Sequence, residues 1–114
     1  MIAVIFELRA APGQTDAYLH HAARLRPAVE ALDGFISVER FRSLTDPDKL
    51  LSLSFFEDEA ALAAWRNLPA HRAAQAAARD GILADYRLRI AEVRRDYGLH
   101  RRAEAPKDSQ TYHE

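Results

Sequence analysis

The residues best equipped for chemistry lie in the second half of the chain. A single tryptophan, Trp65, precedes His71 by six positions, with Pro69 between them. An imidazole exchanges a proton near neutral pH, and an indole supplies a broad apolar wall. A proline inside a helical stretch stops one helix and suits the first turn of the next. The three together describe an irregularity beside an aromatic, a place where a pocket forms. Each also has an ordinary reading: Trp65 as filler between helix and sheet, His71 as a solvent-facing or capping residue. His20 and His21 are adjacent, about 100° apart on a helix, and do not chelate one metal as an i,i+4 pair would. Ser37, Ser52 and Ser54 sit in no Gly-x-Ser-x-Gly elbow. The arginines at 40, 42, 87, 89, 94 and 95 read as cross-strand ion pairs or an interface rim rather than an anion site. Tyr18 reads as part of a helical core stripe.

Composition narrows the classes. At 114 residues, 48% apolar and 29% charged, the chain is one globular domain. A formal charge of −1 offers no excess of Lys and Arg to displace counterions from nucleic acid. The absence of cysteine excludes disulfides, thiolate metal sites and cysteine nucleophiles. No apolar run approaches the roughly 18–20 residues that span a bilayer, and Met1 to Phe6 lacks the basic flank of a signal peptide. The expectation is a cytoplasmic protein without nucleic-acid or membrane partners.

The elements that must position Trp65 and His71 follow from periodicity. Residues 2–9 alternate Ile2, Val4, Phe6 and Leu8 against Ala3, Ile5, Glu7 and Arg9, a strand ended by Pro12-Gly13. Tyr18, Ala22, Leu25, Val29 and Leu32 form a helical stripe, in which Pro27 predicts a kink or break near Leu25-Arg26. Gly34 is a left-handed stop. Phe35 to Leu44 and Lys49 to Glu57 are strands joined by the Thr45-Asp46-Pro47-Asp48 turn. Asp58 caps a helix over 58–67, and Pro69 opens another over 69–79. Asp80-Gly81 closes it, and Ile82 to Asp96 is the last strand. Residues 98–114 read as a polar tail, disordered or ordered only by a partner chain. No repeat is evident beyond two βαβ halves.

The order βαββαβ predicts an α+β, ferredoxin-like antiparallel sheet with helices on one face, spanning residues 1–97. The opposite face keeps Ala3 and Ile5, and the third strand has large apolar groups on both sides. An uncovered face of that kind predicts a homodimer through the sheets.

The chain also resembles a known family, the antibiotic biosynthesis monooxygenases (ABM) of the dimeric α+β barrel superfamily. The likeness rests on Asp33-Gly34-Phe35-Ile36-Ser37-Val38-Glu39, on Leu51-Ser52-Leu53-Ser54-Phe55-Phe56-Glu57-Asp58-Glu59, and on Trp65 with His71-Arg72-Ala73-Ala74-Gln75. It implies oxidation of aromatic polyketides by O₂ without metal, flavin or haem. Such chemistry needs an acidic substrate proton, a base, a charge-stabilising donor and a dry pocket. In quinone-forming members a Trp on the pocket helix is followed six residues later by a Tyr; the matching positions are Trp65 and His71. A further arginine near the start of the last strand has Arg87 as its nearest candidate, although the literal offset falls on Asp85. Haem-degrading members use a first-strand Asn and a His ten residues after the Trp. Those positions hold Phe6 and Gln75, so only the Trp is kept.

The reading that results is a cofactor-independent ABM-type homodimer acting on a small aromatic or quinone-like metabolite. His71 would accept the proton, Trp65 form an aromatic wall and Arg87 stabilise negative charge, with Phe6 and Tyr86 also contacting the substrate. The alternatives are a non-catalytic ligand-binding or accessory dimer and a haem-degrading monooxygenase.

Overall fold

The computed structural model describes residues 1–112. Strand β1 (Ile2–Ala10) leads to helix α1 (Thr15–Glu30), then β2 (Phe35–Arg42) and β3 (Lys49–Phe56). Helices α2 (Glu59–Arg66) and α3 (Pro69–Ala77) follow, then a π-helical turn, β4 (Leu83–Glu92) and a short α4 (Lys107–Tyr112). The sheet order is β2-β3-β1-β4, and every neighbouring pair is antiparallel. This is the ferredoxin-like arrangement.

Period-two alternation sends Ile2, Val4, Phe6 and Leu8 toward the helices. Two buried clusters hold the layers together. Ile2 and Phe56 pack with Val29 of α1 and with Ala61 and Leu62 of α2; Leu8 and Leu50 pack with Tyr18 of α1. Trp65 and Phe35 lean on the first cluster, Phe6 and Leu83 on the second.

Junction residues set where the helices lie. Gly34 has φ +84°, and a Cβ there would come within 2.7 Å of the Ala61 Cβ, so it provides both the turn and the close approach of α2. Its carbonyl accepts a hydrogen bond from the Glu57 amide at 2.7 Å. Asp58 caps α2 as expected, its Oδ1 accepting from the Ala61 amide at 2.8 Å. The two prolines behave differently. Helix α1 runs through Pro27 without the break that was one of the two outcomes expected there, and ends within a turn of it. At Pro69 the helix does restart: Leu68 is extended (φ −64°, ψ 133°) and Pro69 occupies the first turn of α3.

The uncovered face of the sheet combines hydrocarbon with ion pairs. Glu7 lies 3.3 Å from Lys49 and 3.5 Å from Arg89. These cations, Lys49 first, hold its carboxyl below the usual range. The tail, expected to be disordered or ordered only by a partner chain, has contacts of its own over residues 98–112. Gln110 Nε2 donates to the Ala105 carbonyl at 2.6 Å, the Arg102 guanidinium stacks 5.4 Å from the Tyr97 ring, and Ala105 is buried. Residues 113–114 of that tail lie outside the described residues.

Candidate active site

Between the helices and the sheet lies a cavity of about 380 Å³, within the range of small-ligand pockets. Its floor is built from cross-strand rows. One row runs Arg40, Ser52, Phe6, Leu88 across β2, β3, β1 and β4; the next runs Val38, Ser54, Val4, Ile90. The roof comes from α1, α2, α3 and the π-helical turn. The cavity opens toward β4, where Tyr86, Leu88 and Ile90 remain 46%, 51% and 45% exposed.

The break at Pro69 brings His71 back against Trp65. Their ring centroids are 4.3 Å apart with the planes tilted by 47°, and both side chains line the cavity. His71 Nδ1 is buried without a hydrogen-bond partner. Burial, and secondarily the charge of Arg72, lowers its pKa and favours the neutral ring, whose unpartnered nitrogen has a lone pair or N–H to offer. This departs from the ordinary solvent-facing or capping reading of a histidine near a helix start. Arg72 itself turns away and donates to Asn67 Oδ1 at 2.8 Å.

Phe6 and Tyr86 also line the cavity, with ring centroids 5.5 Å apart. Arg87 does not. Strand alternation places Tyr86, Leu88 and Ile90 on the cavity side, so Arg87 lies on the opposite face, in register with Glu7. The expectation that Arg87 stabilises charge in the site is therefore corrected. Gln75, at the position where haem-degrading relatives carry a histidine, lines the cavity. Among the described residues no three His, Asp or Glu side chains gather as a metal site.

Arg40 was read as an ion-pair or rim residue. It faces the cavity instead, forming no ion pair with a carboxylate among the described residues. Its Nε donates a long 3.4 Å hydrogen bond to the Tyr18 hydroxyl, and its guanidinium carbon is 6.0 Å from that ring. The usable signal was register: Arg40 shares its alternation phase with Val38. Leu83 shares its alternation phase with Arg87 and Arg89. A register shift between Arg9 and Ala10 pairs Leu83 with Ala10 and lets it line the cavity.

Fold and site together define a small α+β domain with a helix-covered, largely apolar cavity and a histidine–tryptophan pair in its wall. Residues 1–77 match the family Antibiotic biosynthesis monooxygenase, and the chain belongs to that family. It is 50% identical over 93 residues to a protein of Pyricularia oryzae named Jasmonate monooxygenase ABM, covering 82% of this chain and 43% of that one. The chain thus spans less than half the length of that relative. A solved structure from Deinococcus radiodurans superposes with a TM-score of 0.78 at 16% identity, covering 87% of this chain and 98% of the other. One from Mycobacterium tuberculosis gives 0.76 at 16% identity, covering 85% and 98%. At these identities the structural likeness speaks to the fold. No described helix is long and apolar enough to cross a membrane.

Proposed function

We propose that this chain is a monooxygenase that oxidises a small, mostly apolar cyclic metabolite with O₂ in the cavity beneath α1 and α3, without a bound cofactor. The observation that carries the reading is the buried, unpartnered Nδ1 of His71 against Trp65 in that cavity. A neutral imidazole in a dry site takes a proton from an acidic C–H or phenol, and the resulting anion is electron-rich enough to reduce O₂. For a ring methylene the balance closes without another reductant: CH₂ and O₂ give C=O and water. Phe6, Tyr86 and Trp65 would hold the flat ring. The protein would work as a homodimer through the uncovered sheet face, where Ile5, Leu51, Leu53 and Phe55 would be buried at roughly 25 cal/mol per Å².

The 50% identical relative favours a second substrate, jasmonate, a cyclopentanone carrying an apolar chain and a carboxylate. Hydroxylating an unactivated C–H of such a molecule consumes two further electrons, so a reductant such as NADPH would be needed. Oxygen uptake with an anthrone, and with jasmonic acid plus NADPH, tests both readings. Uptake with either substrate should fall at least tenfold in His71→Gln and in Trp65→Ala. Uptake unchanged in both variants would remove the proposed roles. A monomer by light scattering at micromolar concentration would remove the dimer.

A further inference from the structure

The charges around the cavity are one-sided. Arg26, Arg40, Arg66 and Arg79 line it, and no aspartate or glutamate does. Three of the four arginines are exposed, and Arg26 already pairs with Glu30 at 2.6 Å. Arg40 differs from them. It rises from the sheet floor, is partly buried, and has the Tyr18 hydroxyl as its hydrogen-bond partner, at 3.4 Å. A guanidinium carries five N–H donors and is satisfied best by a two-oxygen acid. Its place in the row is equally informative. From Arg40 the floor passes to the Ser52 hydroxyl and then to the hydrocarbon of Phe6 and Leu88, three strand spacings away, roughly 14 Å. This floor row is therefore polar and cationic at the β2 end and apolar at the β4 end.

We infer that Arg40 is a specificity-determining residue that anchors the carboxylate of an amphipathic substrate, a small apolar acid lying along this row. The inference rests on the monooxygenase reading for what happens to the substrate, but the anchoring is a binding property and is measured without turnover. The apolar body of the acid extends over Phe6 toward the open β4 side, and the head group meets Arg40 and Ser52.

Trp65 is the only tryptophan and lines the cavity, so its fluorescence reports occupancy directly. The experiment titrates the intact chain with jasmonic acid and methyl jasmonate, and with cyclohexylacetic acid and its methyl ester. Each acid should bind about tenfold or more tightly than its ester, the worth of a charge-assisted hydrogen bond pair. Arg40→Gln should weaken both acids by that factor and leave both esters unchanged, and Arg40→Lys should restore part of the loss. Equal affinity for acid and ester in the unaltered chain, which needs no variant, overturns the anchor. So does binding of neither pair at millimolar concentration, or an Arg40→Gln variant that weakens acids and esters alike. Discrimination intact with no oxygen uptake would sink the monooxygenase reading and keep the anchor; uptake without discrimination would do the reverse.

Discussion

The two βαβ halves use the same plan to different ends. In the first, α1 is continuous for 16 residues and lays Tyr18, Ala22 and Val29 onto the sheet. In the second, the helical segment is split at Pro69, and α3 contributes no fully buried residue. The outer strand of that half, β4, has no fully buried residue either. A continuous helix closes its face of the sheet, whereas a broken one bridges over it and leaves a hollow. Stability therefore resides mainly in the β1–α1 and β3–α2 contacts, and the candidate chemistry resides where the second half fails to close.

The sharpest way to break this comparison is to make the same change in each half. Leu8 is 1% exposed at the centre of the sheet, and Leu88 is 51% exposed at the edge of the cavity. Leu8→Ala should cost about 2–5 kcal/mol in urea unfolding, a large share of a small domain's stability. Leu88→Ala should cost less than about 1 kcal/mol while weakening ligand quenching of Trp65. Equal losses would mean that the cavity edge carries as much stability as the buried core.

Gly34→Ala tests the joint between them. A positive φ and a Cβ at 2.7 Å from Ala61 predict a loss of about 1–3 kcal/mol by thermal or urea unfolding. Pro69→Ala isolates the break itself. Removing the ring frees Leu68 to become helical and lets α2 and α3 fuse. Stability should change by less than about 1 kcal/mol, while the Trp65 emission shifts and oxygen uptake falls severalfold as His71 leaves its place.

The smallest effect concerns pH. Because burial lowers the folded-state pKa of His71 below about 6.5, the unfolded chain takes up its proton first on acidification. The stability linked to the neutral ring is fully present above about pH 6.5. It is lost as pH falls from there toward the lower folded value. His71→Gln should flatten that segment of the stability profile. The acid limb of oxygen uptake should likewise lie below pH 6.5 in the unaltered chain.

Much of the fold was legible because it is written in local patterns. Alternation in residues 2–9, the Asp58 cap, the Gly34 stop and the restart at Pro69 each follow from short-range sterics or hydrogen bonding, and each is found in the structure. Pro27 misled because proline was weighed without the packing around it. Its ring removes one backbone hydrogen bond, to the preceding turn, and packing of Val29 against the core carries the helix on past it. The site was legible only in outline. Trp65, His71, Phe6 and Tyr86 reach one cavity, whereas Arg87 is turned away and Arg40 was assigned to the wrong surroundings.

The sequence by itself determined the order of elements, the residues that share a strand face and the point where the second helix must break. These depend on backbone geometry over a few positions. Tertiary structure alone decided which face each set occupies, how the irregular pairings beside Ile36 and Ala84 shift the register, and that Arg40 and the Nδ1 of His71 are left without strong partners inside. Burial and charge pairing are sums over elements distant along the chain, and no local pattern contains them.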